Sequence, residues 1–320
     1  MIRVGVLGTA RIARAFFGEP LQDIEITAIA SRNLDRASQF ADEFRIPGPY
    51  GSYDDLVADP EVDALYIPLP QHLHCEYAVK GARAGKHLLV EKPAALSVSE
   101  LKQMLSESRK NGVVFLEAFM YRFMKIHQRA KEIVRTGTIG ALRYIDFNFG
   151  FNIVVRGRGG FRLTKAMGGG ALFDLGIYGI DFIRYVTEND PELLQAFTHR
   201  GNSNDVDLFT HAVYKVQNVV ATLTCSFHTD ANYYVLSGER GSITSPVGIS
   251  GRKITNVLKM HLLEGDKKYE EEFPPENPYK AEMEYFARCI KSGEEPQIGA
   301  TNSLRNMELL EELQTKSVEI

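Results

Sequence analysis

Val4-Gly5-Val6-Leu7-Gly8-Thr9-Ala10-Arg11-Ile12-Ala13 is a short apolar run that ends on a glycine and passes into a segment of helical texture. An apolar run without alternation describes a strand buried on both faces, as in a parallel sheet. Gly8 supplies a tight turn after it, and Ala13 stands where a small residue lets the following helix pack on the strand. Ala10 occupies the position at which a second glycine would let the backbone approach a pyrophosphate, so a methyl narrows that approach. This strand-to-turn context marks Gly8, Thr9, Ala10, Arg11 and Ile12 as candidate dinucleotide contacts.

The alternation continues outward to about residue 118, with strands expected at 4–7, 24–30, 64–67, 88–90 and 113–116 and helices at 11–17, 34–44, 74–84 and 98–111. Such a series of βαβ units predicts a doubly wound parallel sheet. Gly85 and Gly112 fall just past helices, and Ser97 and Ser99 precede one as caps. From about residue 142 the texture changes to alternating, β-rich runs at 142–151, 193–199, 208–216, 219–227, 233–237, 258–263 and 269–273. Glu264-Gly265-Asp266 separates the last two as a turn. Helices are expected at 172–186, 279–291 and 302–315. The fold class is therefore α/β, an N-terminal doubly wound domain over 1–118, followed over 119–320 by an α+β domain with a large, mostly antiparallel open sheet.

The 320 residues, 44% hydrophobic and 24% charged, suffice for two domains. A net charge of -4, with cations scattered among acids, excludes an electrostatic footprint for nucleic acid or an anionic membrane. No charged and apolar leader opens the chain, and no uninterrupted apolar run approaches the roughly 20 residues of a membrane span, so a cytoplasmic location is expected. Cys75, Cys225 and Cys289 are widely spaced and read as free thiols, and His72 with His74 lacks the further ligands a metal would need.

The second strand runs into Ser31-Arg32, where an enzyme reading a ribose 2′-hydroxyl presents an acid. A small serine with Arg32, and Arg36 four residues on, suits a 2′-phosphate instead. NADP is thus preferred, with NAD still open.

Lys92 follows the apolar run His87-Leu88-Leu89-Val90-Glu91 and precedes Pro93, which puts an ammonium at the carboxyl end of a parallel strand, the edge where ligands bind. An ion pair with Glu91 or another acid is the alternative structural role. Further on, Gly168-Gly169-Gly170 opens a helix apolar nearly all round, on which Asp174, Tyr178 and Asp181 share one face. Transfer of hydride to a carbonyl needs a proton for the developing alkoxide. A phenol of pKa about 10 is too weak an acid–base at neutral pH, and a nearby ammonium favours the phenolate. Lys92 and Tyr178 are the candidate pair, Asp174 orients a group beside them, and Asp181 has the best claim to a structural role.

These segments resemble the Gfo/Idh/MocA family of sugar and polyol oxidoreductases over most of the chain. The resemblance is carried by the Gly8 turn, by Ile67-Pro68-Leu69-Pro70-Gln71-His72-Leu73-His74, by Ala84-Gly85-Lys86-His87 leading to Glu91-Lys92-Pro93, by Glu117-Ala118-Phe119-Met120-Tyr121-Arg122-Phe123, by Phe161-Arg162-Leu163 and by the run from Gly168 to Asp181. It implies a Rossmann domain followed by an α+β domain whose open sheet builds a homodimer or higher oligomer. It also implies Lys92 as catalytic lysine and Tyr178 as acid–base, the tyrosine form being similar to glucose-fructose oxidoreductase and dimeric dihydrodiol dehydrogenase. Leu69, Pro70, Gln71, His74, Glu91 and Arg122 are then expected near the cofactor, and Tyr121, Arg162, Asp174 and Tyr178 near the substrate. Gln71 stands where the family usually has asparagine. The expected activity is NADP-dependent oxidation or reduction of a sugar, polyol, cyclitol or trans-diol. The alternatives are a nicotinamide-sensing interaction protein without turnover, and a redox-neutral cycle on a tightly held cofactor.

Overall fold

A computed structural model describes residues 1–153, 155–157, 159–201, 205–246, 248–249 and 255–320. The chain forms two compact units, one of Met1–Met120 with Tyr279–Met307 and one of Tyr121–Pro278 with Glu308–Ile320.

The first unit is built on a six-stranded, wholly parallel sheet in the spatial order Gly48–Tyr50, Ile24–Ala30, Ile2–Leu7, Ala64–Ile67, His87–Glu91, Phe115–Ala118. Ile2–Leu7 has its successor on one side and Ala64–Ile67 on the other, so the strand order reverses there, which is where open α/β sheets bind ligands. Val4, Val6, Leu65, Ile67, Leu88 and Val90 are fully buried, as a sheet covered on both faces requires. The helices Leu34–Phe44, His74–Arg83 and Val98–Lys110 lie in the crossovers. Asn33 caps the first by accepting the Arg36 N–H at 3.1 Å, and Ser97 caps the third at the Glu100 N–H, also 3.1 Å. Gly85 (φ 73°) and Gly112 (φ 64°) close helices in the left-handed region.

Two features differ from the sequence reading. The helix expected at 11–17 after Gly8 forms as a 3-10 helix, Arg11–Phe16, and not as an α-helix. The first unit also takes in a late segment, because the helix Pro278–Ser292 buries Met283, Phe286 and Ala287, while Glu284 accepts the Gln22 N–H at 2.8 Å and Lys291 pairs with Asp23 at 2.7 Å.

The second unit holds a nine-stranded sheet in the order Lys267–Phe273, Asn256–Leu262, Gly241–Ser245, Ala231–Gly238, Leu142–Gly150, Val219–Ser226, Asp207–Val216, Glu192–Arg200, Val318–Glu319. Neighbours are antiparallel except Leu142–Gly150 with Val219–Ser226 and the two-residue strand at the end with Glu192–Arg200. Inward residues of Asp207–Val216 (Leu208, Thr210, Ala212, Tyr214, Val216) are buried and alternate with more exposed ones. Against this face lies a helix that begins as a π-helix, Leu172–Gly176, and continues as the α-helix Ile177–Thr187. Gly179 permits the close approach, since a Cβ there would fall 2.5 Å from Leu223 Cδ1. Among the described residues the stretch Lys165–Thr187 alone is long and apolar enough to cross a membrane by composition, and 83% of that window is buried. It is the core helix of this unit.

Candidate functional site

In the first unit the expected cofactor residues gather at the carboxyl edge of the parallel sheet. Gly8 adopts φ 108°, where an L side chain is strained, and donates its N–H to the Ala30 carbonyl at 2.8 Å. A Cβ on Gly8 would lie 3.2 Å from Leu69 Cδ2, so the turn and the loop after Ala64–Ile67 pack on one another. Thr9, Ala10 and Ile12 are half-buried beside it and Arg11 is exposed. At the end of Ile24–Ala30, Ser31 is buried while Arg32 and Arg36 are exposed, and among the described residues neither guanidinium has an ion pair. Small turn, absent carboxylate and two uncommitted cations fit a 2′-phosphorylated dinucleotide.

The peptide around Lys92 is fixed at three points. Glu91 accepts the Tyr66 hydroxyl at 2.6 Å. The Ala94 N–H donates to Glu117 Oε1 at 2.9 Å. His74, wholly buried, brings Nε2 to 2.8 Å from the Leu69 carbonyl and Nδ1 to 3.0 Å from that of Pro93. His74 therefore ties the Leu69-Pro70-Gln71 loop to the lysine segment. Its pKa is pushed down to about 4, chiefly by burial, against the pull of its carbonyl partners. Gln71 is buried beside this loop and Pro70 is partly exposed. The Lys92–Pro93 peptide is cis.

In the second unit Asp174, on the π-helical turn, and Tyr178 and Asp181, on the α-helix that follows, are all buried. Arg162 Nε donates to Asp174 Oδ2 at 2.6 Å. The Tyr178 ring stands edge-on to Tyr121 (centroids 6.0 Å) and Phe149 (5.5 Å). Asp181, fully buried, accepts the Tyr121 hydroxyl at 2.5 Å and a paired grip from Arg122, Nε at 2.8 Å and Nη2 at 2.5 Å. The Arg122 guanidinium also sits 4.9 Å over the Tyr185 ring. Burial works against its charge, and the Asp181 carboxylate outweighs it.

These bonds give three of the expected site residues a partner within the second unit. Tyr121 has no exposed surface, and its hydroxyl bonds Asp181 on the helix Ile177–Thr187. Arg122, expected near the cofactor, pairs with Asp181, an acid 59 residues away. Arg162 is bound to Asp174 and orients that carboxylate. Glu117, which holds the Ala94 N–H, was not singled out in the sequence; its signal was an acid within an otherwise apolar strand, Phe115–Ala118.

The family model described as an oxidoreductase family with an NAD-binding Rossmann fold, Gfo/Idh/MocA, matches residues 2–119, and the model of the Gfo/Idh/MocA C-terminal domain matches residues 127–244. The chain belongs to the Gfo/Idh/MocA oxidoreductase family. Within it, the chain is 32% identical to D-xylose 1-dehydrogenase (NADP(+)) 2 of Haloferax volcanii, over 96% of this chain and 94% of the relative. It is likewise 32% identical to dTDP-3,4-didehydro-2,6-dideoxy-alpha-D-glucose 3-reductase of Actinomadura kijaniata, over 100% and 96%. A solved 3-ketoreductase from Actinomadura kijaniata, in complex with NADP and TDP-benzene, superposes with a TM-score of 0.91 at 30% identity, covering 100% of this chain and 98% of that one. The six-stranded sheet is thus the Rossmann domain of a Gfo/Idh/MocA oxidoreductase.

Proposed function

We propose that this oxidoreductase uses NADP, which when bound exchanges a hydride with a carbinol or carbonyl carbon of a sugar, polyol, cyclitol or vicinal trans-diol. Gly8 to Ile12 would hold the pyrophosphate, and Ser31, Arg32 and Arg36 the 2′-phosphate. Tyr178 gives or takes the proton at the substrate oxygen, and the Lys92 ammonium favours its phenolate form. Asp174, oriented by Arg162, bonds a substrate hydroxyl.

The observation that carries the reading is the peptide of Lys92, anchored on three sides at the carboxyl end of His87–Glu91. Such anchoring suits a lysine whose ammonium must stand at one point. Two further findings support it. The solved 3-ketoreductase was crystallised as variants with a lysine and with a tyrosine replaced. The described cations that lead into the catalytic helix are each paired with an acid, Arg156 with Asp230, Arg162 with Asp174 and Lys165 with Asp205, which favours an uncharged sugar or diol over a nucleotide-linked one.

Following cofactor absorbance with NADPH against aldoses, ketoses, osones and diketones, and with NADP⁺ against polyols and aldoses, tests the activity. Tyr178→Phe and Lys92→Met should retain NADPH binding and lose turnover. NADPH binding with no turnover in either direction would overturn the enzyme reading in favour of a nicotinamide sensor. We also infer a homo-oligomer, since Tyr144 (38% exposed) and Val220 (46%) pair in register on the large sheet; a monomer in sedimentation would overturn that.

A further inference from the structure

The helix that carries Asp174 and Tyr178 has no cap of its own. Ala171 precedes Leu172 without a side-chain acceptor, and three glycines stand before it. The first N–H groups of a helix must still find acceptors. Leu172 finds one in Asp207, 35 residues along the chain at the start of Asp207–Val216, whose Oδ2 accepts its N–H at 2.6 Å. The hydroxyl of buried Thr210 approaches the same oxygen at 3.4 Å.

The glycines make room for this. Gly170 has φ 124°, and a Cβ there would fall 2.2 Å from Asp207 Oδ1. A Cβ on Gly169 would fall 2.5 Å from the Arg162 carbonyl oxygen, to which the Gly170 N–H donates at 2.9 Å. The turn is therefore clamped between the Arg162 backbone and the Asp207 carboxyl. Arg162 then returns through its side chain to Asp174.

We propose that Asp207 is a positioning residue for the reaction: by holding the Leu172 N–H and filling the space beside Gly170, it sets the register in which the helix presents Asp174 and Tyr178. This rests on the acid–base role proposed for Tyr178. Asp207 faces Arg200 from Glu192–Arg200 and Cys225 from Val219–Ser226, and the Cys225 thiol is pushed up by burial and stays neutral. Burial pushes the Asp207 carboxyl up to about 6, while the Leu172 N–H, Thr210 and Arg200 pull it down. Protonation removes the charge that strengthens the bond from the Leu172 N–H but leaves a carbonyl oxygen to accept it, so the clamp weakens, without being lost, as pH falls.

The test compares the full-length wild type, Asp207→Ala and Asp207→Asn by steady-state kinetics against pH, NADPH fluorescence titration and amide hydrogen exchange over residues 170–178. Asp207→Ala should lower kcat about ten- to a hundred-fold, as a small misplacement of catalytic groups does. Its KM and NADPH affinity should change little, and exchange over 170–178 should quicken. Asp207→Asn keeps an oxygen able to accept the Leu172 N–H but never the charge, so at neutral pH its kcat should fall between those of the wild type and Asp207→Ala, and it should lose the acid limb near pH 6. Wild-type kcat or unchanged local exchange in Asp207→Ala would overturn the proposal. So would an asparagine variant as impaired as the alanine one, and, where the alanine variant does not fold, an asparagine variant that keeps the wild-type acid limb. A wild type inactive on every substrate defeats the proposed function instead, and exchange still decides whether Asp207 holds the helix.

Discussion

Arg122 and Asp181 form a two-point ion pair, 2.8 and 2.5 Å, at a site where the Asp181 side chain is fully buried and that of Arg122 is 12% exposed. The pair joins the segment after the Rossmann domain to the middle of the helix Ile177–Thr187. Tyr121 adds a third bond to the same carboxylate.

Removing one partner leaves the other charge buried without compensation, which costs about 3–5 kcal/mol in comparable pairs. Asp181→Asn and Arg122→Leu should each lower the unfolding free energy by that order in denaturant titrations. Replacing both together should cost less than the sum of the two, since neither charge is then stranded. Additive losses would show that the two side chains act separately.

The end of Ile24–Ala30 predicts cofactor choice. Arg32 and Arg36 are exposed and without ion pairs among the described residues. Arg32→Ala should weaken NADPH about ten- to a hundred-fold, the worth of one or two charge-assisted hydrogen bonds, and leave NADH binding nearly unchanged. Ser31→Asp with Arg32→Ala should go further and reverse the preference. Equal losses for both cofactors in isothermal titration would remove these residues from 2′-phosphate recognition.

The parallel sheet was legible because its strands are buried on both faces and read as unbroken apolar runs bounded by glycine and proline. Gly48–Tyr50 escaped because three residues containing a proline form no pattern. The helix Lys125–Arg135 escaped for another reason: Met124 gives it no side-chain cap and a 3-10 turn, Met120–Phe123, runs almost directly into it. Among the residues proposed for catalysis, Lys92, Asp174 and Tyr178 could be singled out because each breaks an apolar run, a local signal. The partners of Asp181 could not, because Tyr121 and Arg122 lie 60 and 59 residues away. Periodicity says that a buried acid must be satisfied and is silent about which long-range donor does it.

His74 meets two carbonyls, yet a neutral imidazole carries one N–H and can donate to only one of them. Burial keeps the ring neutral, with its pKa lowered to about 4 from the ordinary value near 6.5. The unfolded chain therefore binds more protons between those values, and stability contributed by this residue falls as pH drops from about 6.5 to 4. His74→Asn, which can still donate to one carbonyl, should flatten that part of the stability curve. It should also lower kcat more than it weakens NADPH, because the bond lost is one that holds the Lys92–Pro93 segment. A variant with the wild-type pH slope would show that another group titrates there.

Glu282 gives the opposite slope. It is fully buried on the helix Pro278–Ser292, and among the described residues neither carboxyl oxygen has a hydrogen-bond partner. Burial first, and the nearby Glu91 carboxylate second, hold its pKa well above 4.5. A carboxyl raised in this way binds its proton more tightly in the folded state than in the unfolded chain. Its contribution to stability is therefore complete below the unfolded value and is lost as pH rises through the folded one. Glu282→Gln keeps the shape and cannot ionise, so it should match the wild type at pH 5 and exceed it increasingly at pH 7 and pH 9 in urea titrations. A glutamine variant that loses stability at high pH as steeply as the wild type would mean that Glu282 is ionised in the folded protein, with a cation or ordered water compensating it.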